Sequence, residues 1–394
     1  MLVSMSLRIA ALGMRFIFLL LAAKTLSAEE YTRLGGINSL VMISIYFAGF
    51  DLYINLSRRL NDRTISSHEN SSFITNYCYS LLACSSIVLA VVYFLDMPFM
   101  AGYTAYILLI IVFEAIISEC MRLLVATGKY IASNLIFLLK TCWIIPFVYM
   151  SLAKGNYTLE YCINIWLFWV FNVSLLSLII LKDRFYIKFV SVKMLDILLE
   201  FKSTFVIFIS SLSFLAINNV DKIYLATKDE HGLIREYFFI SSLISVAITV
   251  IYSGVINPLY KKVLYYRNDD IKLQRILTDL QKYSLVTAFV VAFLVWMSFD
   301  FFVNYLGFSS ESSRKYLLLM SLNMILVVTS LKYHYYLFAK GLDKLIAMLS
   351  ISTLLIVCTL MPFLYSLFSV DGVIYALLIS SAFTLVSKWI FTKI

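Results

Sequence analysis

Twelve apolar stretches of about twenty residues each occupy almost the whole chain. An α-helix of that length can cross roughly 30 Å of hydrocarbon. Continuously apolar runs such as Ile107–Phe113 lack the alternation of a membrane β-strand, so the sequence predicts helices. The predicted spans are residues 6–26, 34–56, 76–95, 104–127, 131–152, 162–181, 203–225, 237–259, 283–306, 316–338, 345–367 and 372–392.

The composition excludes a soluble protein and makes the lipid bilayer a predicted partner. Hydrophobic residues make up 62% of the chain and charged residues 14%, against about 45–50% and about 25% in ordinary soluble domains. The first span carries Arg8 and Arg15 and lacks a small-residue cleavage site before Ser27. We therefore predict that it belongs to the mature structure and is not a signal peptide.

The second half of the chain begins as the first half does. The first span closes with Leu-Ala-Ala-Lys at Leu21–Lys24, and the seventh with Leu-Ala-Thr-Lys at Leu225–Lys228. A polar turn follows each and ends in Glu-Tyr, at Glu30 and at Glu236. In a membrane protein, an internal repeat of half the chain indicates a transporter with two helix bundles around a central site.

The predicted fold class is an all-α integral membrane protein with about twelve transmembrane helices in two six-helix lobes. An even number of helices per lobe makes the repeats parallel, related by a pseudo-two-fold axis along the membrane normal. The predicted lobes are residues 1–181 and 203–394, joined by a cytoplasmic or interfacial linker at 182–202. After the eighth span, the i, i+3, i+4, i+7 spacing of Leu273, Ile276, Leu277 and Leu280 indicates a helix on the inner membrane surface or a solvated linker.

The distribution of Lys and Arg among the loops predicts the orientation. With the N-terminus in the cytoplasm, the inner loops carry about three times as many basic residues as the outer loops, so both termini are predicted to be cytoplasmic. The net charge of +9 is mostly this bias, and no nucleic-acid partner is expected.

The sequence offers no position for catalysis, and we predict that the chain is not an enzyme. No loop exceeds roughly twenty residues, whereas membrane polymerases and glycosyltransferases usually carry catalytic groups on a large external loop. The six cysteines lie in apolar spans without a C-x-x-C pair, and the three histidines have no metal-binding spacing. Neither a metal nor a cofactor is expected.

Charged residues inside the spans are the informative ones. A Lys or Arg at a helix centre costs about 2.5–3.5 kcal/mol on insertion scales, so it usually faces protein or a water-filled cavity. Lys24, Arg122, Lys222 and Lys388 lie near span ends, where snorkelling to the interface is the simpler interpretation. Arg15 and Lys140 are central, Lys332 lies inside its span, and Arg8 shares a helix face with Arg15. For Arg15 and Lys140 we favour a cavity over a structural ion pair.

The alternative to a cavity is that the basic residues form salt bridges with acidic residues inside the spans. Glu119 and Arg122 are an i, i+3 pair that can neutralise itself. Glu114 is central and has no partner on its own helix, so it pairs with Arg15 or Lys140 or carries a proton. Adjacent side chains on a helix point in different directions, so Asp221 and Lys222 are not expected to pair. The other intramembrane titratable groups are Asp51 and His334.

A cavity lined by cations favours an anionic cargo. Arg and Lys bind phosphate through charge-assisted hydrogen bonds. The 27 tyrosines and 31 phenylalanines supply apolar and amphipathic walls. A lipid that carries a diphosphate and a sugar chain fits both features.

The chain resembles the multidrug/oligosaccharidyl-lipid/polysaccharide (MOP) exporter superfamily, and within it the Wzx-type O-antigen flippases. The resemblance covers essentially the whole chain, and it rests on the two six-helix halves, the basic first helix and three short motifs. The motifs are Leu26-Ser27…Glu30-Tyr31, Asp51…Arg58-Arg59 and Asn219…Asp221-Lys222. The chain departs from the pattern at Thr32, Phe238 and Tyr53, where family members often have glycine.

The resemblance implies two lobes that open inward and outward around a cationic cavity. It implies transport of an undecaprenyl-diphosphate-linked oligosaccharide to the periplasmic leaflet by alternating access, coupled to an ion gradient. A polysaccharide polymerase and a chain-length regulator are further expected partners. By position, the cargo-phosphate residues would be Arg8, Arg15, Lys140, Lys222 and Lys332. The ion-coupling or gating residues would be Asp51, Glu114 and Asp221, with His334 as a further titratable group.

Two other functions remain open from the sequence. A small-molecule or drug antiporter of the same architecture is the first, although an antiporter for cationic drugs needs exposed acids and interior bases outnumber acids here. The second is a membrane polysaccharide polymerase or ligase, which the half-chain repeat and the short loops disfavour.

Overall fold

A computed structural model describes residues 2–53, 67–126, 129–154, 158–182 and 194–393. Helices dominate this part of the chain, and no β-strand occurs in it. The prediction of an all-α membrane protein is confirmed. Ten helical stretches among the described residues are long and apolar enough to cross a membrane: Ser6–Thr25, Thr75–Leu95, Tyr130–Met150, Leu159–Leu181, Ile197–Ile217, His231–Tyr265, Asp270–Leu306, Ser310–Ala339, Asp343–Phe368 and Val370–Phe391.

The chain divides into two compact units, Met1–Phe208 and Ile209–Ile394. The predicted lobe boundaries remain predictions, and residues 183–193 of the predicted linker lie outside the described residues. The helices of the first unit are α1 (Leu2–Thr25), α2 (Ala28–Gly49), α3 (Ser67–Leu95), α4 (Thr104–Ala126), α5 (Tyr130–Thr141), α6 (Ile144–Lys154) and α7 (Leu159–Lys182). Helix α8 (Met194–Ile217) contains the boundary between the units.

The second unit continues with helices that match the remaining predicted spans. They are α9 (Val220–Leu225), α10 (His231–Ile251), α11 (Asn257–Tyr265), α12 (Asp270–Leu306), α13 (Ser310–Ala339), α14 (Asp343–Phe368) and α15 (Val370–Phe391). Three predicted spans are therefore interrupted helices: α5–α6, α8–α9 and α10–α11.

Proline explains two of the three interruptions. Pro146 has no N–H to donate to the carbonyl four residues earlier, which belongs to Cys142, and α5 ends at Thr141. Pro258 follows a five-residue π-helical stretch, Tyr252–Ile256, whose wider turn accommodates the missing hydrogen bond.

Two asparagines mark the third interruption. Asn218 Nδ2 donates to Phe214 O at 2.7 Å, and Asn219 Nδ2 donates to Leu215 O at 2.9 Å. Side chains that bond the i−4 carbonyl compete with the backbone for that acceptor. Helix α8 ends at Ile217, immediately before this pair, and α9 begins at Val220.

The repeated glutamates perform the same kind of task in both units. Ser27 and Glu30 form a capping box at the start of α2, and Glu30 Oε1 also accepts the backbone N–H of Leu159 at 3.0 Å. Glu236 accepts the backbone N–H of Ser309 and the hydroxyl of Ser313, both at 2.9 Å. Each glutamate thus binds the N-terminus of a later helix, where unpaired N–H groups and the helix dipole favour an anion.

The expected surface helix near residue 273 is a protein-facing part of α12. Helix α12 runs without a break from Asp270 to Leu306. Leu273 and Leu277 are fully buried and pack with Val263 and Ala339. The apolar face was identified correctly, but it packs against α11 and α13 rather than against a lipid surface.

Candidate functional site

Glu114 is the centre of a polar cluster in the first unit. It lies on α4 and is only 3% exposed. Its Oε2 forms an ion pair with Lys140 on α5, and its Oε1 accepts a hydrogen bond from Trp166 Nε1 on α7 at 3.1 Å. Lys140 is therefore a partner of Glu114, one of the two candidates predicted from the sequence, and it forms the ion pair that was the less favoured interpretation of this lysine.

Two arginines of α1 face the same group of helices. Arg15 is partly buried, and the charge of Glu114 acts on it. Arg8 Nε donates to Asn134 Oδ1 on α5 at 2.8 Å. Arg8 and Arg15 lie seven residues apart, and Asn134 and Lys140 lie six apart, so the polar stripes of α1 and α5 advance by about 10 Å and 9 Å. Three of the five predicted cargo cations are therefore on α1 and α5 of one unit.

An aromatic wall adjoins this cluster. The ring of Trp166 stacks on Trp143 with centroids 5.9 Å apart. Phe18 of α1 packs edge-on against Trp143 at 4.6 Å and against Phe147 at 5.0 Å. The cluster therefore combines an amphipathic surface with charge.

The break between α5 and α6 positions Lys140. Trp169 Nε1 donates to the carbonyl of Leu139 at 2.7 Å, which helps to satisfy the backbone beside the break. The side chain of Lys140 pairs with Glu114 and remains 18% exposed. Interrupted helices with a charged group at the break are a common construction of membrane transport sites.

Positive charge exceeds negative charge in this cluster. Lys140 pairs with the buried carboxylate of Glu114, whose charge also acts on Arg15, while Arg8 is bound by the amide of Asn134. Among the described residues, the arrangement can hold an anion next to partly exposed cations in a medium of low dielectric constant.

Asp51, a predicted gating residue, belongs to a second polar group in the first unit. It is 1% exposed and accepts a hydrogen bond from the Tyr46 hydroxyl at 2.8 Å. Both Asp51 and Phe50 have left-handed backbone conformations, with φ of 52° and 46°, which costs energy for residues other than glycine.

Arg122 connects this group to α4. It pairs with Glu119 at 2.6 Å, as the i, i+3 spacing predicted, and Glu119 also accepts from the Tyr77 hydroxyl. Its guanidinium lies over the rings of Tyr46 and Tyr53, at 5.3 and 5.0 Å. Arg122 does not snorkel to the membrane interface as expected, because these contacts hold its side chain within the protein. Residues 54–66, which include Arg58 and Arg59, lie outside the described residues.

The Arg122–Glu119 pair also explains a glycine of α2. A Cβ atom at Gly49 would lie 2.4 Å from Arg122 Nη1 and 2.5 Å from Glu119 Oε1. The ion pair therefore packs directly on the backbone of α2.

Asp221 and Lys222 form a local group in the second unit. The expectation that they do not pair is wrong, because Lys222 Nζ lies 4.0 Å from Asp221 Oδ2. The same Nζ donates to Asn218 O at 3.2 Å, and Asp221 also accepts a hydrogen bond from Tyr237. The flexible side chain of Lys222 folds back across the break at Asn218–Asn219. In a continuous helix it would have no broken backbone to reach. Lys222 is 9% exposed, so it does not snorkel.

Lys332 and His334 lie on α13 of the second unit. Lys332 is partly buried, and it has neither an ion pair nor a side-chain hydrogen bond with a described residue. The ring of His334 packs edge-on against Tyr335, with centroids 5.3 Å apart, and the charge of Lys388 acts on it. The cargo and coupling roles of all nine candidate residues remain predictions.

Sequence reasoning missed several members of these groups. Asn134, Trp143 and Trp166 carry no charge, so no charge-based search selects them. Lys388 was assigned to the interface by its position near a span end, but it is 7% exposed and lies in the protein interior. In the described part of the chain, no group of three or more His, Cys, Asp or Glu residues could hold a metal ion.

Comparison with solved structures shows the fold. An inward-facing multidrug resistance MATE family transporter of the MOP superfamily matches with a TM-score of 0.70 at 13% identity, over 100% of this chain and 97% of that one. The lipid II flippase MurJ, in an inward closed conformation, matches with a TM-score of 0.74 at 14% identity, over 100% of this chain and 88% of that one.

A third match is described by the polarity of its binding pocket. It is a MOP superfamily transporter from Pyrococcus furiosus described by a reverse polarity of the binding pocket that suggests a different function. Its TM-score is 0.53 at 12% identity, over 99% of this chain and 92% of that one. No family model matches the sequence, and no curated protein does.

The class follows from these matches. The chain is a multi-pass membrane protein with the fold of the MOP superfamily transporters.

Proposed function

We propose that this chain is a MOP-type flippase that moves an undecaprenyl-diphosphate-linked oligosaccharide, the repeat unit of an O-antigen or related polysaccharide, from the cytoplasmic to the periplasmic leaflet. It works by alternating access between two six-helix lobes. It belongs to the Wzx type, lies in the bacterial inner membrane with both termini in the cytoplasm, and catalyses no covalent step. The likeness to a lipid II flippase supports a lipid-linked cargo.

The observation that carries the proposal is the excess of cations around Glu114. Arg8 is bound by an amide, Asn134, rather than by an acid. The charge of Glu114 acts on Arg15, but the ion pair of Glu114 is with Lys140. A cargo diphosphate supplies the missing negative charge and accepts charge-assisted hydrogen bonds from the two guanidinium groups.

The aromatic wall suits the remainder of such a cargo. Trp143, Trp166 and Phe18 offer rings next to the cations. Aromatic rings of this kind pack against the apolar faces of sugars and against lipid chains, while Arg15 and Lys140 hold the charged group. An inside-negative potential favours outward movement of the anion by about 2.3 kcal/mol per charge per 100 mV.

The other candidates complete the proposed mechanism. Lys222 and Lys332 are second-unit contacts for the cargo phosphates. Glu114 exchanges its partner, Lys140, for a proton when the cargo takes the lysine, which couples transport to the proton gradient. Asp51, Asp221 and His334 act in gating or coupling. The glycan polymerase and chain-length regulator of the same assembly are proposed partners.

A drug antiporter is the second candidate, because several carboxylates of the described residues are buried, Glu114 and Asp221 among them, and one structural match is a multidrug transporter. A cationic drug requires a free carboxylate. In the described residues Glu114 is already paired with Lys140, and Asp221 lies beside Lys222. Charge therefore favours an anionic cargo.

Complementation tests the proposal. The chain is expressed in a bacterial strain that lacks its O-antigen flippase, and the leaflet that holds the lipid-linked unit is determined by labelling from the outside. The proposal expects outward labelling and restored surface polysaccharide, with no gain in resistance to cationic drugs. Drug resistance without outward labelling would favour the antiporter.

A further inference from the structure

A cavity of about 280 Å³ lies at one end of the second unit, apart from the candidate residues described above. Its walls come from the starts of α10, α13 and α15 and from the end of α14. With both termini in the cytoplasm, as proposed, this is the periplasmic end of the unit. The groups that line the cavity indicate what it can bind.

The polar side chains of the wall both donate and accept hydrogen bonds. Lys315 of α13 and Asp371 of α15 form an ion pair there. In the described part of the chain, Glu311 has neither an ion pair nor a hydrogen bond. The hydroxyl groups of Ser312 and Tyr316 also lack a hydrogen-bond partner among the described residues. The wall therefore carries one net negative charge and several groups that a ligand can satisfy.

These charges disfavour an ionic ligand. A phosphate would meet two carboxylates, Glu311 and Asp371, and an organic cation would meet the ammonium of Lys315. No group of three or more His, Cys, Asp or Glu residues within the described ranges could hold a metal ion. A neutral ligand rich in hydroxyl groups matches, because a hydroxyl can donate to a carboxylate and accept from an ammonium or another hydroxyl.

The rest of the wall is apolar and partly aromatic. Leu233 and Val370 supply aliphatic surface, and Phe368 and Tyr316 supply rings. A sugar ring has the matching character, because its C–H groups form an apolar face and its hydroxyl groups surround that face. Pockets for drug-sized ligands measure about 300–1,000 Å³, so this slightly smaller cavity suits a ligand of about one sugar ring.

The turn between α14 and α15 fixes the shape of the cavity. Ser369 alone connects the two helices and lines the cavity, and its φ of 53° lies in the region that favours glycine. Such a conformation persists only where surrounding contacts impose it. Glu230 provides these contacts, since it accepts hydrogen bonds from the Ser369 hydroxyl and, at 3.2 Å, from the Tyr365 hydroxyl. The cavity is therefore preformed, which lowers the entropic cost of binding.

We infer that this cavity binds one neutral sugar ring. Hydroxyl groups of the sugar donate to Glu311 and Asp371, and its apolar face packs against Phe368. The inference rests on the proposed function in one respect, because the sugar is assigned to the glycan of the cargo once it has reached the periplasmic side. A glycan held there is hindered from returning to the cytoplasmic leaflet.

Saturation-transfer NMR on the purified chain in nanodiscs tests the inference, with empty nanodiscs as the blank. The probes are the methyl glycosides of glucose, galactose, mannose and N-acetylglucosamine, each offered separately at millimolar concentration. Tetramethylammonium is the comparison ligand. We expect the wild type to transfer saturation to at least one of the sugars and not to tetramethylammonium.

Variants assign the signal to the cavity. Glu311→Ala removes one acceptor and should weaken sugar binding about tenfold, as expected for the loss of a hydrogen bond to a charged group. Ser312→Phe fills part of the cavity and should abolish the signal. Asp300→Ala removes a carboxylate that pairs with Arg314, outside the cavity wall, and it should keep the wild-type signal.

Each outcome supports or overturns the inference. It is overturned if the wild type transfers saturation to none of the sugars, if both cavity variants retain the signal, or if only tetramethylammonium responds. If Ser312→Phe does not fold, Glu311→Ala decides alone. A chain that complements the flippase-deficient strain but binds no sugar keeps its proposed function and loses this site. A chain that binds a sugar but does not complement keeps the site, and the sugar is then not that of the proposed cargo.

Discussion

The Glu114 cluster of the first unit and the Asp221 group of the second unit use similar parts in different ways. Each has a buried carboxylate, a lysine beside an interrupted helix and an aromatic donor, the indole of Trp166 or the hydroxyl of Tyr237. Lys140 lies just before the α5–α6 break, and Lys222 lies just after the α8–α9 break.

The difference lies in what satisfies the backbone at each break. In the first unit Trp169 Nε1 and the backbone N–H of Cys142 donate to Leu139 O, and Lys140 reaches a carboxylate on another helix. In the second unit Lys222 itself donates to Asn218 O and stays beside its sequence neighbour Asp221. The first group joins several helices and is rich in cations, whereas the second is local and balanced. We expect the first group to dominate the response to cargo. The second supports the helix break in addition to the phosphate contact proposed for Lys222 and the gating or coupling role proposed for Asp221.

The largest expected effect is at Arg15. Arg15→Ala should leave the protein in the membrane but abolish surface polysaccharide, while Arg15→Lys should retain part, because a lysine keeps the charge but loses the planar pair of donors. Surface polysaccharide is measured by gel electrophoresis at matched protein level. Lys24→Ala removes a charge from the exposed end of the same helix and should behave as the wild type. Normal polysaccharide in Arg15→Ala would remove Arg15 from the cargo site.

The two carboxylates should differ in their role in coupling. Glu114→Gln cannot exchange a proton for Lys140, so its remaining transport should no longer respond to a protonophore. Asp221→Asn should keep the wild-type response, because Asp221 lies in the balanced local group. The measurement is outward labelling of the lipid-linked unit with and without the protonophore. The comparison fails if the two variants respond alike.

The two lysines should differ in their effect on stability. Lys140→Met leaves Glu114 buried without its ion-pair partner and should cost about 2 kcal/mol, toward the upper end for polar contacts in membrane proteins. Lys222→Met should cost about 0.5 kcal/mol, since Tyr237 still donates to Asp221. Denaturant unfolding in mixed micelles measures both. Equal costs would contradict the distinction between an assembled and a local group.

Small and similar effects are expected at the aromatic donors, where the two groups are most alike. Trp166→Phe and Tyr237→Phe each remove one hydrogen bond to a buried carboxylate while keeping an aromatic ring. Each should cost about 1 kcal/mol or less. The same unfolding assay applies, with Tyr149→Phe, at an exposed position of α6, as the control expected to change nothing. A much larger loss in one variant would show that its donor does more than satisfy the acid.

The sequence predicted the fold well because a hydrophobic span is a local property. All twelve predicted spans correspond to helices or to interrupted helices of the described chain. The helix interruptions were missed because hydropathy is averaged over a window of residues. Pro146, Pro258 and the pair Asn218–Asn219 mark their positions.

The site was harder to predict, because charge search finds residues but not their neighbours. It selected Glu114, Arg15 and Lys140, which the structure brings together. It gave the wrong result for Asp221 and Lys222, where ideal helix geometry does not apply across a break. It also misjudged Lys388, since position along a helix does not reveal which face another helix covers.

The two repeated glutamates have a consequence for biosynthesis. Glu30 accepts a hydrogen bond from Leu159, which is synthesised 129 residues later. Glu236 accepts one from Ser309, which is synthesised 73 residues later. At about 5–20 residues per second, the first carboxylate stays without its distant partner for roughly 6–26 seconds as the ribosome continues. In each half of the nascent chain, the hydrogen bonds of the glutamate therefore form only after the later helices have been synthesised.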